Sequence, residues 1–137
     1  MATQYRGRMQ KGQAMTRLVV DRAAFLALDD RAREDVPVPE LGAGTVMPVW
    51  GMTARERTAF ERQFANKQGQ TIETRMSEFR ERLVLACCKT DDGQPIFLAE
   101  DVAALGRKRA DVVERLVNAA QRLSGFTKED IQETVGN

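Results

Sequence analysis

The chain has 137 residues, of which 42% are hydrophobic and 30% charged, and its formal net charge is +1. A chain of this size buries roughly 65–70% of its unfolded surface in one core without covalent staples, and its near-neutral balance gives no whole-chain attraction to nucleic acid or to an acidic surface. It contains no His, which removes the commonest general base and the commonest neutral metal ligand.

Residues 1–16 carry Arg6, Arg8 and Lys11 and show no apolar periodicity. Such a composition does not offset the entropy of ordering, so a flexible basic tail is expected there, followed by one domain over residues 17–137. Met15 is a possible alternative start. Asp21 is suited to cap a short helix carrying Phe25, Leu26 and Leu28. The run Asp29-Asp30-Arg31-Ala32-Arg33-Glu34-Asp35 reads as a solvated connector.

Val36 to Trp50 alternates apolar residues with Pro37, Pro39 and Pro48. Proline donates nothing to a ladder, so these strands must be short or lie at an edge. Gly42-Ala43-Gly44 supplies the backbone freedom for a reversal. A two-stranded hairpin is expected, and because a lone hairpin is unstable it must pack on helices or pair with another chain.

Thr53-Ala54-Arg55-Glu56 has the spacing of a capping box. The helix it opens is expected to carry Ala59, Phe60 and Phe64 on one face and to stop near Gly69. Thr71 then caps a helix whose apolar residues, Ile72, Met76, Phe79, Leu83 and Ala86, recur at three- and four-residue steps. Asp91-Asp92-Gly93 turns the chain and Pro95-Ile96-Phe97 returns it to the core. A short helix is expected from about Ala99 to Leu105, with Gly106 past its end. The last long helix runs from about Arg109 to Arg122, with Val112, Val113, Leu116, Val117, Ala120 and Leu123 inward. Gly125 ends it, and Thr127 caps a terminal helix through Ile131. The fold class is α+β and mostly α: a small helical domain with one short Pro-rich β-hairpin near the N-terminus.

Chemistry-bearing motifs are few. Cys87 and Cys88 are adjacent, and a helical backbone points them about 100° apart, so they read as buried free thiols of a reducing compartment. Asp91-x-Gly93 lacks the oxygen donors that a calcium loop needs further on, where Pro95 to Leu98 stand instead. Gly42-Ala43-Gly44 lacks the Lys-Ser/Thr of a phosphate loop. Arg107-Lys108-Arg109 is balanced by nearby acids, and the helix after it lacks polar base readers. No catalytic, cofactor or metal site is expected. No apolar run reaches the roughly 20 residues of a membrane span, and the first residues lack the apolar stretch of a secretory signal, so a cytoplasmic protein is expected. Trp50, beside Pro48 and Gly51 on the hairpin, is the strongest candidate for a partner contact, with Val38, Val49, Phe60 and Phe64 as further candidates.

One ordered combination stands out: Phe25-Leu26-Ala27-Leu28, Val38-Pro39-Glu40-Leu41-Gly42, Thr53-Ala54-x-Glu56-Arg57-x-x-Phe60-Glu61, Arg82-Leu83-Val84, Asp91-Asp92-Gly93-x-Pro95-x-Phe97, Asp101-Val102-x-x-Leu105-Gly106 and Ala120-x-x-Leu123-Ser124-Gly125. This order, spanning about Leu18 to Ile131, resembles the tail assembly chaperones of long-tailed bacteriophages and prophages. The basic tail and the Cys87-Cys88 pair lie outside the pattern. The resemblance implies a non-enzymatic protein of the host cytoplasm that binds the tape measure protein, a long apolar helical rod, and keeps it soluble. It further implies recruitment of tail tube subunits, self-association and absence from the mature virion. A small structural head–tail connector retained in the virion is the alternative, and a helical DNA-binding regulator is a third reading; membrane and nucleic-acid partners are not expected.

Overall fold

The computed structural model describes residues 16–126. The chain divides into two units, Met1–Asp30 and Arg31–Asn137, so the division falls after Asp30 and not at the expected boundary of residue 16. The Thr127-capped terminal helix and all of the expected tail except Thr16 lie outside the described residues.

In the first unit, α1 (Arg22–Leu26) is a single short helix. Asp21 caps it as expected, its carboxylate accepting from the Ala24 N–H at 3.0 Å.

The second unit is a mostly helical α+β domain. Its hairpin pairs β1 (Arg33–Pro37) antiparallel with β2 (Val46–Trp50), Arg33 opposite Trp50 and Pro37 opposite Val46. β1 thus begins inside the run read as a connector. Gly51 N–H bonds to Ala32 C=O at 2.8 Å and Val38 N–H to Thr45 C=O at 2.8 Å. These bonds fix the even-numbered residues of β1 as the ones that bond across to β2. The odd-numbered ones point their backbone groups outward. Pro37 and Pro48 both occupy positions turned away from the β1–β2 ladder, so their missing N–H groups cost that ladder nothing. The connection is wider than a tight turn: a 3-10 turn at Pro39–Leu41 precedes Gly42 and Gly44, both at positive φ.

β2 is paired on its other side too. Val49 bridges Cys88, Lys89 N–H bonds to Pro48 C=O at 3.2 Å, and Lys89 bridges Pro95. The ribbon Cys88-Lys89 and its return at Pro95 therefore extend the hairpin, with the reversal made at Gly93.

Helix α2 (Ala54–Arg62) opens with the expected capping box: Thr53 N–H to Glu56 Oε1 at 2.9 Å and Glu56 N–H to Thr53 Oγ1 at 3.1 Å. It stops at Arg62, well before Gly69. The Asn66 side chain accepts from the N–H groups of Gln68 and Gln70, both at 2.9 Å, and an Asn side chain that takes backbone donors competes with a helix. Ala59 is exposed, while Phe60 and Phe64 are buried. The expected helix after Thr71 is two helices, α3 (Glu73–Met76) and α4 (Phe79–Cys87), and Ile72, not Thr71, stands at the cap position. Ser77 Oγ donates to Thr74 C=O at 2.7 Å, and Glu78 leaves helical geometry at φ −107°. A 3-10 turn at Ala99–Asp101 runs into α5 (Val102–Gly106). Gly106 is the last helical residue and does not stand at a positive-φ cap. Helix α6 (Ala110–Leu123) ends in a Schellman motif, with Phe126 N–H to Gln121 C=O at 3.0 Å and Gly125 at φ 75°.

The core joins the inner hairpin face (Val36, Val49) to α4 (Leu83, Val84, Cys87) and α6 (Leu116, Val117, Ala120). Beside it, Phe60, Phe64, Phe79 and Phe126 form one aromatic cluster with centroids 5.0–6.4 Å apart. Edge-to-face pairs of this kind add about 0.5–1.5 kcal/mol each beyond burial.

The hairpin exit is pressed against the end of α6. A Cβ on Gly51 would stand 2.3 Å from the Leu123 carbonyl oxygen. Gly51→Ala is therefore expected to destabilise the fold by about 1–3 kcal/mol, as overpacking does. At Gly106 an added Cβ meets only the flexible Glu81 carboxylate, so Gly106→Ala should leave stability unchanged or raise it. Urea unfolding midpoints of the two variants check the contrast.

Arg115 clamps the hairpin turn to α6. Its guanidinium grips both Glu40 carboxylate oxygens at 3.0 Å and the Pro37 carbonyl at 3.0 Å. That side-chain bond, foremost, holds the Glu40 carboxyl down at about 2, against an ordinary 4.5. A depressed folded value means that the contribution is complete above the ordinary value and is lost as pH falls toward the folded one. Unfolding midpoints should fall between about pH 5 and pH 2, and Arg115→Met should flatten that fall. Added salt should weaken the effect in the wild type, since the pair is exposed.

Candidate functional site

The five residues expected to meet a partner separate sharply. Val49 is 0% exposed, Phe60 2%, Phe64 4% and Val38 7%. Val49, Phe60 and Phe64 belong to the main core cluster, so a partner reaches none of the four while the domain is folded. The inward phase of β2 buries Val49. Phe60 on α2 and Phe64 just past its end meet Phe79 of α4, a contact that the apolar pattern marks without naming.

Trp50 alone lies at the surface, half-buried on the outer face of the hairpin. The register puts Arg33 directly opposite it. The Arg33 guanidinium stands 5.3 Å from the indole centroid and that of Arg31 5.0 Å, within cation–π range. Arg33 is also paired with Asp91 and, at 3.5 Å, with Asp35. The indole Nε1 is buried without a hydrogen-bond partner. Arg31 and Arg33 were legible only as part of a charged run; their role beside Trp50 follows from the strand register, which no local pattern reveals.

The first unit supplies a second surface. Leu18, Val19, Val20, Phe25, Leu26 and Leu28 are 47–69% exposed. They make up six of the ten large exposed apolar residues among those described. Every described residue from Thr16 to Asp30 is exposed.

Elsewhere the polar groups pair with one another. Lys89 Nζ donates to Glu56 Oε2 at 2.7 Å. Burial pushes the Glu56 carboxyl up, but the bonds from Lys89 and from the Thr53 N–H outweigh it, and its pKa is lowered. This one carboxylate therefore closes the capping box and ties α2 to the end of α4. An open cleft of about 380 Å³ between α4, α5 and α6 is floored by Leu105 and Val113. Arg80 on its rim is bound to Glu114 at 2.9 Å. No set of three His, Cys, Asp or Glu among the described residues is placed to hold a metal ion. No described helix is long and apolar enough to cross a membrane.

Cys87 and Cys88 are free and fully buried. Burial pushes the Cys87 thiol up to about 11, and the Cys88 thiol up to about 12. Cys87 Sγ lies 3.8 Å from Ser124 Oγ. Thiols held protonated in a core are poor nucleophiles. Neither should react with a disulfide reagent at pH 8 until the domain opens, and both should react in denaturant. A thiol titrated rapidly in the folded protein contradicts this.

No family model, curated protein or solved structure matches this chain.

Proposed function

We propose that this protein is a non-enzymatic tail assembly chaperone of a long-tailed phage or prophage, acting in the host cytoplasm. It binds the tape measure protein, keeps that apolar rod soluble, helps recruit tail tube subunits and is lost before the virion is complete. The observation that carries the reading is the uncovered apolar segment around α1, where Phe25, Leu26 and Leu28 are 59–67% exposed. Those residues open the ordered pattern by which the chain resembles the family. A short capped helix with apolar residues free on its surface suits helix-to-helix recognition of a long apolar rod. Trp50, aromatic and flanked by two arginines, has the composition of an interface anchor.

Binding of this kind works by mass action: a stoichiometric holdase stabilises its client in proportion to its concentration over the dissociation constant. Tube subunits then need only a competing surface to displace it.

Co-expression tests the reading. A tape measure protein is produced with the wild type, with a Phe25→Ser, Leu26→Ser, Leu28→Ser variant, with Trp50→Ala, and with no chaperone. The tape measure protein should be soluble with the wild type and insoluble without it. The triple variant should bind it at least about tenfold more weakly, because a lost hot spot costs about 2 kcal/mol or more. Equal solubility in all four arms refutes the proposal. If only Trp50→Ala behaves as wild type, the hairpin face is not part of the contact.

A further inference from the structure

We propose that the free edge of β1 is a self-association edge, on which a second copy of this chain pairs antiparallel about a two-fold axis at Glu34. The inference stands apart from the tail-assembly reading, because it rests on strand register and charge alone.

β2 is paired on both sides, by β1 and by the Cys88-Lys89 ribbon. Among the described residues, β1 is paired on one side only. The hydrogen bonds at Ala32 and Val38 show that its even-numbered residues bond to β2, so the N–H and C=O groups of Arg33 and Asp35 point away from the sheet. A strand edge of this kind is a template for another strand. The edge is bounded at Pro37, which has no N–H and whose carbonyl is already taken by Arg115 at 3.0 Å.

A two-fold axis at Glu34 sets Arg33 opposite Asp35 of the second copy, and Asp35 opposite its Arg33. Both pairs fall at positions whose backbone groups point outward, so each exchanges N–H···O=C bonds in both directions. Both also place opposite charges face to face, the favourable cross-strand arrangement. The patch is self-complementary, as a two-fold interface requires. The two Glu34 side chains meet at the axis, but each is bound to Arg122 of its own chain. Centring the axis on Asp35 instead would oppose Asp35 to itself and Arg33 to Pro37. Centring it on Arg33 would oppose Arg33 to itself and carry Asp35 opposite Arg31, which lies outside the strand. Like charges directly opposite destabilise a pair, so charge selects the Glu34 register. A contact of this length is small, and the dimer is correspondingly weak and concentration-dependent.

Sedimentation equilibrium of the full chain tests the proposal through two charge variants. Arg33→Asp makes both outward positions acidic, and Asp35→Arg makes both basic. The wild type should dimerise. Each variant alone should dimerise at least about tenfold more weakly, the effect of turning two attractive pairs repulsive. An equimolar mixture of the two should recover association, because each heteropair restores both opposite-charge contacts. Far-UV circular dichroism verifies that the variants are folded. Asp35→Pro, which removes only the outward N–H, gives an independent check and should also weaken association. A wild type that stays monomeric at every attainable concentration overturns the proposal. So do single variants that dimerise as the wild type does, or folded variants whose mixture fails to associate.

Discussion

The structure depends on one close approach: the hairpin exit at Gly51 lies directly on the C-terminal turn of α6. A side chain at Gly51 would overlap the Leu123 carbonyl. The Met52 N–H bonds to Ser124 Oγ at 3.1 Å, and Ser124 in turn touches the Cys87 thiol. Two residues later the Schellman turn at Gly125 carries Phe126 into the aromatic cluster. Strand, helix end and cluster therefore fix one another. None would hold its place alone, since a two-stranded hairpin has no independent stability and the short helices have little.

Polar contacts reinforce this junction from the periphery. Arg115 secures the hairpin turn, Arg122 holds Glu34, and Lys89 holds the capping carboxylate of Glu56. Exposed pairs such as these contribute little singly. The effect of the first two is geometric: they hold the hairpin on α6, so that Val36 and Val49 face the core. The same orientation turns Trp50, Arg33 and Asp35 outward. Core and surface are thus two consequences of a single strand register.

That division separates the roles of the apolar residues. Val49, Phe60 and Phe64 account for the fold. Trp50 and the α1 segment are the apolar groups left at the surface. A protein that leaves many large apolar side chains uncovered in a segment outside its main domain has a surface suited to a partner. Burial of Cys87 and Cys88 disfavours the thiolate, so packing accounts for both thiols.

Much of the local structure was legible from the residues. The Asp21 cap, the Thr53–Glu56 capping box, the Gly93 reversal, the inward face of α6 and the stop at Gly125 each follow from a few neighbouring side chains. The breaks were harder to read. Helix α2 ends early because Asn66 captures backbone donors, and α3 parts from α4 at Ser77-Glu78, where the apolar spacing alone runs on unbroken. β1 starts in a charged run because its partner strand, not its composition, makes it a strand. The candidate site was the least legible part. Sequence placed Trp50 ahead of Val49 as a partner contact but kept both as candidates. Only the pairing register, which places successive side chains on opposite faces, buried one and exposed the other. Sequence determined which segments turn, cap and stop, because those are short-range events. The tertiary structure decided what is core and what is surface, because that depends on which element covers each face.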